Sequence, residues 1–469
     1  MSEHDSKKYI IAFKNNVNIA LMRELIDEFL PPKYYEILEL DKIDINLKGA
    51  ETNTDNRTPI IIEGSDRDEA KREIFLKLAE LTEKKPEYGA LTGVRPVKLA
   101  GELMKKTGSR EAAIDRLVAF YLMDRSKARW ITDIYEHQMT VFGMPKPGTV
   151  ALYIGIPFCP TRCLYCSFAS NQEGDDEICA YMKALMREIR FVASNMNLFG
   201  MMPESIFIGG GTPTTLNEEQ LDELMSTVSE EFDLSELREY TVEAGRPDTI
   251  TTEKLNVIKA YGADRVCINP QTMHQKTLDI IGRKHSPEEI EKAILLTHAA
   301  GFDDINADII AGLPGENTDD FKYSLDSIIK TGVSEVTVHT LAVKRASKLK
   351  EIDENYHYKA ENAATEMLEH ARSRLNHEGF SPYYLYRQKH MAGAHENTGY
   401  AKPGHGGLYN VRIMDEHQTV IALGAGGISK VYYPDTNRLT RVPNVTNFRQ
   451  YIDRIDEMCD RKQKGIFNK

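Results

Sequence analysis

Cysteine and tryptophan are the residues that this 469-residue sequence uses least, with six cysteines and one tryptophan. So few cysteines exclude a small secreted scaffold held together by disulfides. Short internal repeats are also missing, and the polar N-terminus has no apolar run long enough for a signal peptide or a membrane span. With 41% hydrophobic and 28% charged residues, the composition is typical of a soluble globular protein, which we expect to be cytoplasmic.

Positive charge is in short supply too, because 59 lysines and arginines face 71 acidic residues and leave a formal net charge of -12. A chain with this balance is not built to coat nucleic acid or an anionic membrane surface. We therefore expect no nucleic-acid partner and no membrane span. Any anionic ligand must be held by a local basic site.

The chain is too long for one core, and a prior of roughly 150 residues per domain suggests about three domains. Residues 1–90 contain β-like runs at 9–13 and 59–63 and two amphipathic stretches, which predict a small α+β domain. Residues 91–148 are apolar at helical spacing and are interrupted by Gly, Ser and Asp, which predicts a helical connector.

Between residues 149 and 376, short apolar strands alternate with helices, and we count about six such β-α units. This alternation is typical of a parallel sheet with crossover helices, either open or curled into a partial barrel. In such a sheet the ligand lies at the carboxyl ends of the strands. Residues 377–469 form a C-terminal region that mixes aromatic, glycine and histidine residues before a final helix.

Three cysteines follow directly on the first of these strands, in the stretch YIGIPFCPTRCLYCSF. A zinc site would want a fourth ligand near Cys159, Cys163 and Cys166, and a redox pair of the last two would leave the first without a role. Three thiolates do suit a cubane iron–sulfur cluster in which one iron has no protein ligand. Structural zinc and inert thiols stay open as alternatives at this point. We interpret the remaining, scattered cysteines as packed thiols: Cys179, Cys267 and Cys459.

The cysteine stretch resembles the radical S-adenosylmethionine (SAM) superfamily, and specifically its HemN-like branch, which has a Y-x-H-I-P-F-C opening. Further motifs follow in the family's order: GGGTPT (209–214), VEAGRPD (242–248), INPQT (268–272), GRKHSPEE (282–289), INADIIAGLPGE (305–316) and ALGAGGIS (422–429). Two segments most resemble the HemZ type: LTGVRPVKLA (91–100) and VHTLAVKRAS (338–347). The resemblance implies a mixed α/β fold, a partial (β/α)6 TIM-like radical SAM barrel with a small N-terminal α+β domain, a helical connector and a C-terminal α+β extension.

The resemblance also implies the cofactors, a [4Fe-4S] cluster on the three cysteines and a SAM that chelates the open iron. A low-potential donor such as flavodoxin or ferredoxin then supplies the electron that cleaves SAM to a 5'-deoxyadenosyl radical. The residues that match the family's SAM contacts are Tyr153, Gly210, Gly211, Thr212, Glu243, Gln271, Arg283, Asp308, Ala342 and Ile428. The two acids suit the sulfonium and the ribose hydroxyls, and Arg283 suits the methionine carboxylate. Ala342 and Ile428 equally suit core positions in strands.

The activity implied by the resemblance is that of an oxygen-independent coproporphyrinogen III dehydrogenase, which converts propionates to vinyl groups and yields protoporphyrinogen IX. Two departures bear on it. Ser167 and Phe168 follow the third cysteine, whereas the decarboxylating enzymes carry another cysteine two places on, and this ending resembles the haem-trafficking HemW-like branch. Asn269 and Pro270 stand where a Gly-containing turn is expected. The alternatives are a haem-binding chaperone or carrier, and a radical SAM enzyme that modifies or degrades haem.

A tetrapyrrole with propionate groups, whether coproporphyrinogen III or haem, needs cations and aromatic walls. Candidates by position in the barrel are Arg162, Lys344 and Arg345. The C-terminal region adds Arg387, Lys389, Lys402, Arg412, Tyr383, Tyr384, Tyr386 and Tyr400. The candidates for coordinating haem iron are His390, His395 and His405. A solvated basic face or surface histidines would look the same in the sequence.

Overall fold

A computed structural model describes residues 9–39, 59–168, 170–344, 346–353, 355–389 and 391–468. The N-terminal unit is a three-stranded parallel sheet in the order β2-β1-β3, packed against two helices. Its elements are β1 (Tyr9–Phe13), α1 (Ile19–Phe29), β2 (Tyr35–Glu39), β3 (Ile60–Ile62) and α2 (Arg67–Thr82). The two strands and two helices predicted for this unit are present, and β2 adds a strand that the sequence did not predict.

Three helices form the predicted connector: α3 (Pro96–Thr107), α4 (Arg110–Tyr121) and α5 (Arg125–Val141). Each of the three helices begins beside a residue that favours a helix N-terminus. Pro96 occupies the first turn of α3, where its missing N–H costs nothing. The side chains of Ser109 and Asp124 accept hydrogen bonds from first-turn amides of α4 and α5. The helices share a small core that includes Ile114 and Leu117.

Six parallel strands, each followed by at least one helix, lie at the centre of an 11-stranded sheet, as the sequence predicts. In chain order the elements are β4 (Thr149–Ile156), α6 (Asp175–Leu198), β5 (Met202–Gly210), α7 (Glu218–Glu231), β6 (Glu239–Glu243), α8 (Thr252–Ala260), β7 (Arg265–Gln271), α9 (Gln275–Ile280), α10 (Pro287–Ala299), β8 (Asp304–Ala311), α11 (Thr318–Lys330) and β9 (Glu335–Thr340). Neighbours pair in register from β4 through β9. The carboxyl ends of all six strands therefore meet at one edge.

After β9, the helices α12 (Lys348–Ile352), α13 (Tyr356–Lys359) and α14 (Glu361–His377) complete the sixth β-α unit. The C-terminal region then extends the same sheet at both sides. Its elements are β10 (Ser381–Tyr386), β11 (Asn397–Ala401), α15 (Leu408–Asp415), β12 (Val420–Leu423), β13 (Ile428–Tyr433), β14 (Arg438–Pro443), α16 (Phe448–Asp453) and α17 (Ile455–Lys462). Strand β12 pairs parallel with β4, and β11 pairs antiparallel with β9. The fold is thus a mixed α/β partial barrel with a large, mostly parallel sheet. The domain boundaries at residues 90, 148 and 376 stay predictions.

A membrane-spanning helix would need greater length and apolar character than any helix in the described ranges has.

A buried charge network fastens the last helix to the sheet. Glu188 on α6 and Lys462 at the end of α17 are both fully buried, and Lys462 Nζ lies 2.6 Å from Glu188 Oε1. The Glu188 carboxylate also accepts hydrogen bonds from the Tyr451 hydroxyl (2.6 Å), the Gly424 N–H (2.7 Å) and Asn444 Nδ2 (2.9 Å). This one carboxylate therefore connects α6, α16, α17 and the loops beside β12 and β14.

We expect Lys462→Met to lower the free energy of unfolding by about 3–5 kcal/mol, because it leaves the Glu188 carboxylate buried without its cation. Chemical denaturation measures the change. Lys464→Met is the matched control, since Lys464 is exposed two residues further on and surface substitutions change stability by about 0.5 kcal/mol or less. Equal stability of the two variants would contradict this role for Lys462.

Candidate active site

The loop that follows β4 carries the three clustered cysteines and is held in place by its own backbone. The Cys159 N–H donates to the Asn171 carbonyl at 3.0 Å, and the Asn171 N–H donates to the Pro157 carbonyl at 2.9 Å. Further along, the Leu164 N–H donates to the Ile281 carbonyl at 2.9 Å, just past α9. The loop is therefore fastened both to its return segment and to the neighbouring helix.

Cys159, Cys163 and Cys166 line one cavity of about 400 Å³ at the carboxyl ends of the parallel strands. The Cys166 N–H donates to the Cys163 carbonyl at 3.2 Å, and Thr212 Oγ1 lies 3.5 Å from Cys159 Sγ. Burial raises the pKa of Cys159 to about 11 and also raises the pKa of Cys166. Metal binding by these thiols must therefore release protons.

A buried cation stands behind the cysteine loop. Arg246 is 2% exposed, and its Nη1 lies 3.8 Å from Cys163 Sγ and 2.9 Å from Thr161 Oγ1. Asp248 Oδ1 lies 3.1 Å from Arg246 Nε and 3.6 Å from His285 Nδ1. Burial alone would favour the neutral acid, but His285 and Arg246 hold the pKa of Asp248 below its ordinary value. Arg246 therefore places a fixed positive charge directly against the cysteine loop.

A glycine turn at the end of β5 lies against the cysteine loop. The N–H groups of Gly211 and Thr212 donate to carbonyls of β4 and of Phe158, both at 2.7 Å. Gly210 has a φ of 111°, a region that residues with side chains rarely adopt. A Cβ at position 211 would lie 2.4 Å from the Phe158 carbonyl oxygen and 3.0 Å from Cys159 Sγ. Only glycine allows this approach.

Two carboxylates face the cavity, Glu243 from the end of β6 and Asp308 from the middle of β8. Glu243 accepts a hydrogen bond from Asn269 Nδ2, while Asp308 accepts one from Asn306 Nδ2 (2.7 Å) and lies 3.2 Å from His339 Nε2. Burial, with a contribution from Asp308, raises the pKa of Glu243 to about 8. Burial also opposes ionisation of Asp308, but His339 and the hydrogen bonds hold its pKa below the ordinary value. At neutral pH, Asp308 therefore carries the negative charge and Glu243 holds a proton.

Several polar atoms at this cavity have no partner among the described residues. Gln271 adopts a left-handed φ of 70°, and its Oε1 and the Asn269 Oδ1 are buried without a hydrogen bond. Arg283 donates to the Gly245 carbonyl (3.1 Å) and to the Tyr165 hydroxyl (3.3 Å), yet its Nε is unpartnered. Buried polar groups are normally paired. These atoms fit a polar ligand with both a carboxylate and hydroxyl donors, as SAM has, and three thiols beside them fit an iron–sulfur cluster.

The raised pKa of Glu243 predicts a pH-dependent stability. Because the folded protein holds this proton more tightly than the unfolded chain, the group favours folding at acidic pH, and this advantage is lost as pH rises from about 4 through about 8. Glu243→Gln is therefore expected to exceed the wild type in free energy of unfolding by about 4–5 kcal/mol near pH 9 and to match it near pH 4. Denaturant unfolding at both pH values measures this.

Glu253→Gln, at an exposed position of α8, is the control for that comparison and should follow the wild type at both pH values. If Glu243→Gln shows the same pH profile as this control, the assigned environment of Glu243 is wrong.

All but one of the SAM and cluster residues predicted from the sequence line this single cavity. They are Cys159, Cys163, Cys166, Tyr153, Gly210, Gly211, Thr212, Glu243, Gln271, Arg283, Asp308 and Ala342. The exception is Ile428, which begins β13 opposite Pro443, is 48% exposed and does not line the cavity. The binding roles of the twelve stay predictions.

Two of the predicted tetrapyrrole contacts, Lys344 and Tyr386, line the cavity. The ammonium of Lys344 lies 5.4 Å from the ring centroid of Phe168. Arg162 does not line it and donates instead to a backbone carbonyl at 2.5 Å. Arg345 lies outside the described residues.

The other candidates from the C-terminal region lie elsewhere because the fold already uses them. Arg387, Lys389 and Arg412 each pair with a glutamate at 2.9 Å, and Lys402 lies over the ring of Phe380. The remaining tyrosines are buried in the interior: Tyr383, Tyr384 and Tyr400.

The described haem-ligand candidates do not converge. His395 Nε2 lies 2.7 Å from Thr365 Oγ1 on α14. His405 pairs with Asp304, the first residue of β8, at the sheet edge opposite the cysteine loop. His390 lies outside the described residues.

The sequence analysis missed Arg246 and His339, although both line the cavity. Arg246 stands inside the quoted motif VEAGRPD, and its position three residues after an assigned acid was an available signal. His339 precedes the last residue of β9, where side chains reach the ligand edge of a parallel sheet.

Comparisons with known proteins agree with this geometry. The radical SAM superfamily matches residues 153–328. The chain is 37% identical over 386 residues to the oxygen-independent coproporphyrinogen-III oxidase-like protein HemZ of Bacillus subtilis, covering 81% of this chain and 77% of that protein. It is 29% identical over 308 residues to the heme chaperone HemW of the same organism, covering 65% and 76%. In fold it is similar to coproporphyrinogen III oxidase (HemN) from Escherichia coli, with a TM-score of 0.54 and 21% identity over 69% of this chain and 72% of that one.

Proposed function

The chain belongs to the HemN-like family of the radical SAM superfamily, and from this premise we propose that it oxidatively decarboxylates propionate groups of coproporphyrinogen III in a SAM-dependent radical reaction. One observation carries the proposal: three thiols, a glycine turn and unpartnered polar atoms meet in a single cavity at the ligand edge of the sheet. A cavity of this kind suits a large cofactor beside a substrate.

In this proposal, different residues of the cavity hold the cluster and the polar groups of SAM. Cys159, Cys163 and Cys166 would hold the [4Fe-4S] cluster, and the chemistry supplied there with SAM bound is the generation of a hydrogen-abstracting radical. Arg283 would bind the methionine carboxylate through charge-assisted hydrogen bonds. Asp308, which is ionised at neutral pH, would accept hydrogen bonds from the ribose hydroxyls. These contacts orient the cofactor at a fixed distance from the substrate.

The substrate side of the cavity is formed by Lys344 and Phe168. Among the described residues no carboxylate pairs with Lys344, which packs over the 64%-exposed ring of Phe168. A propionate would supply the missing anion, and the ring a flat apolar surface for a pyrrole. Oxidative decarboxylation of each propionate would remove one hydrogen atom from the β-carbon, carbon dioxide and one electron, and would leave a vinyl group. The bound cluster and SAM would supply the hydrogen-abstracting chemistry, and a one-electron acceptor would take up the electron. The initiating electron would come from a low-potential donor such as flavodoxin or ferredoxin.

An anaerobic assay of the reconstituted, reduced protein with SAM and coproporphyrinogen III tests this proposal. We expect 5'-deoxyadenosine together with a vinyl-bearing porphyrin. Lys344→Met should lower kcat/KM for the porphyrinogen about tenfold, because the substrate anion loses its partner. Lys344 also acts on the charge of Cys166, so the cluster content and SAM affinity of the variant are measured as well, and both should match the wild type. Production of 5'-deoxyadenosine without any vinylated porphyrin would contradict the proposed reaction.

Haem carriage is the second candidate function, and the residues after the third cysteine favour it. Ser167 and Phe168 stand where the decarboxylating enzymes have a further cysteine close by, and this ending is similar to that of haem-trafficking relatives. Titration of the holoprotein with haem distinguishes haem carriage from oxidative decarboxylation. Tight, stoichiometric haem binding with no conversion of coproporphyrinogen III would replace the enzyme proposal by this one.

A further inference from the structure

A second cavity, of about 390 Å³, lies between the N-terminal unit and the helical connector. We propose that it binds a small anionic ligand, a molecule that joins phosphate or carboxylate groups to an apolar body. Residues 90–95 form part of its wall and include the start of the motif LTGVRPVKLA, to which the proposed reaction gives no role. The inference is independent of that reaction.

Two adjacent cations on α2, Lys71 and Arg72, line this cavity without an anionic partner. The Lys71 ammonium donates to the Thr92 hydroxyl, and Arg72 Nη1 donates to the Ala119 carbonyl at 2.7 Å. Among the described residues neither forms an ion pair, although Glu24, Asp68 and Glu28 act on the charge of Lys71 from beyond ion-pair distance. In a chain whose net charge is -12, two adjacent, partly buried cations without an ion pair mark a local basic site.

The opposite wall carries two further cations, Arg95 and Lys98. Glu416 lies 2.9 Å from Arg95 and 3.4 Å from Lys98, and Glu102, the other acid on this side, is 4.0 Å from Lys98. Arg95 Nε is buried and has no hydrogen-bond partner. This side of the cavity therefore offers an unsatisfied cationic donor to a bound anion.

The rest of the wall is mostly apolar. Its apolar and aromatic members are Leu21, Leu91, Val94, Leu99, Phe120 and Tyr121. The two remaining acids of the wall are already paired, Glu24 with Lys389 and Asp68 with Arg67, both at 2.9 Å. A recess with cations at two sides and aromatic surface between them suits a ligand with anionic groups on an apolar body.

One residue, Arg387, joins this cavity to the cluster cavity. Its N–H donates to the Val94 carbonyl at 2.8 Å and its Nη1 to the Leu91 carbonyl at 2.7 Å, so it clamps the 90–95 segment to the end of β10. The residues on either side of it, Tyr386 and Gln388, line the cluster cavity. A ligand in the second cavity therefore contacts a segment bonded directly to the wall of the active site.

Calorimetric titration of the reconstituted full-length protein tests the site in two arms, one with inorganic pyrophosphate and one with coproporphyrin III. We expect at least one arm to show binding that the double variant Lys71→Met, Arg72→Met weakens about tenfold, since two charge-assisted contacts are lost. Lys77→Met is the matched control, because Lys77 is also on α2 but does not line the cavity. Pyrophosphate binding that the double variant weakens identifies a phosphate ligand, and coproporphyrin III binding that it weakens identifies a carboxylate ligand at this cavity rather than at the cluster cavity.

Methionine keeps the aliphatic stems, and circular dichroism checks that the double variant folds. If the double variant does not fold, the salt dependence of ligand binding by the wild type tests the proposal instead. Binding through these cations must weaken as salt concentration rises. Absence of binding in both arms, equal affinities in the double variant and Lys77→Met, or salt-independent binding would overturn the proposal. Each of these outcomes leaves the decarboxylation assay unaffected, so the two proposals fail separately.

Discussion

The variant Cys163→Ala, reconstituted anaerobically, is expected to lose the iron–sulfur cluster, with iron falling from about four atoms per chain to less than about one. The loop supplies only three thiols to this cavity among the described residues. Cys163 is the most buried of them and lies beside the Arg246 guanidinium. With two thiolates left, a cubane cluster would have two irons without protein ligands, and it would be lost to solvent.

Iron and sulfide analysis, together with the visible absorbance of the cluster, measures this loss. Cys179→Ala is the matched control, because Cys179 is an exposed thiol on α6 that does not line the cavity. It should retain the cluster at the wild-type level. A full cluster in Cys163→Ala would show that the ligand assignment is wrong.

Gly211→Ala should abolish SAM cleavage although it changes neither charge nor a ligand. The added methyl group would lie 2.4 Å from the Phe158 carbonyl oxygen and 3.0 Å from Cys159 Sγ. Because the Phe158 carbonyl belongs to the backbone, it cannot move aside as a flexible side chain can. The glycine turn and the cysteine loop must therefore move apart. We expect SAM affinity to fall by at least about a hundredfold, because misplacement of about 1 Å has this effect on positioned groups.

Equilibrium binding of SAM and the cluster content are measured on the same sample. The two measurements separate a loss of SAM affinity from a loss of the cluster. Gly174→Ala is the control, because Gly174 lies at the end of the same loop and has an ordinary φ, and a methyl group added there would have only a glutamate oxygen near it, at 3.7 Å. It should bind SAM as the wild type does. Wild-type affinity in Gly211→Ala would mean that the close approach of the two loops is not needed for binding.

Much of the fold could be predicted because its signals are local. Each of the six parallel strands is a short apolar run followed by a helix, and the cysteine loop follows the first of them directly. The C-terminal region was expected to contain strands, but β11 and β12 were not located because their signals are weak. Strand β12 has four residues, and β11 (Asn397–Ala401) carries polar side chains that are buried only because it pairs beside β9.

In the candidate site, too, some residues could be predicted from local motifs and others could not. Motif positions placed the cysteines, the glycine turn and Glu243, since each lies at or just after the carboxyl end of a strand. Asp308 was placed by its motif although it lies within β8. The environments of the other charged residues depend on tertiary contacts. Arg412 reads as a free cation in the sequence but is buried against Glu204, and Lys71 and Arg72 read as part of a solvated helix face but line a cavity. Pairings between residues that are hundreds of positions apart leave no periodic signal.

With three cysteine ligands, a [4Fe-4S] cluster in this cavity would keep one iron open for SAM. Low-temperature electron paramagnetic resonance of the reduced, reconstituted protein, recorded with and without SAM, measures whether SAM reaches that iron. We expect SAM to change the cluster signal, because its amino and carboxylate groups would bind the iron that lacks a protein ligand. A complete cluster whose signal is the same with and without saturating SAM would contradict this expectation.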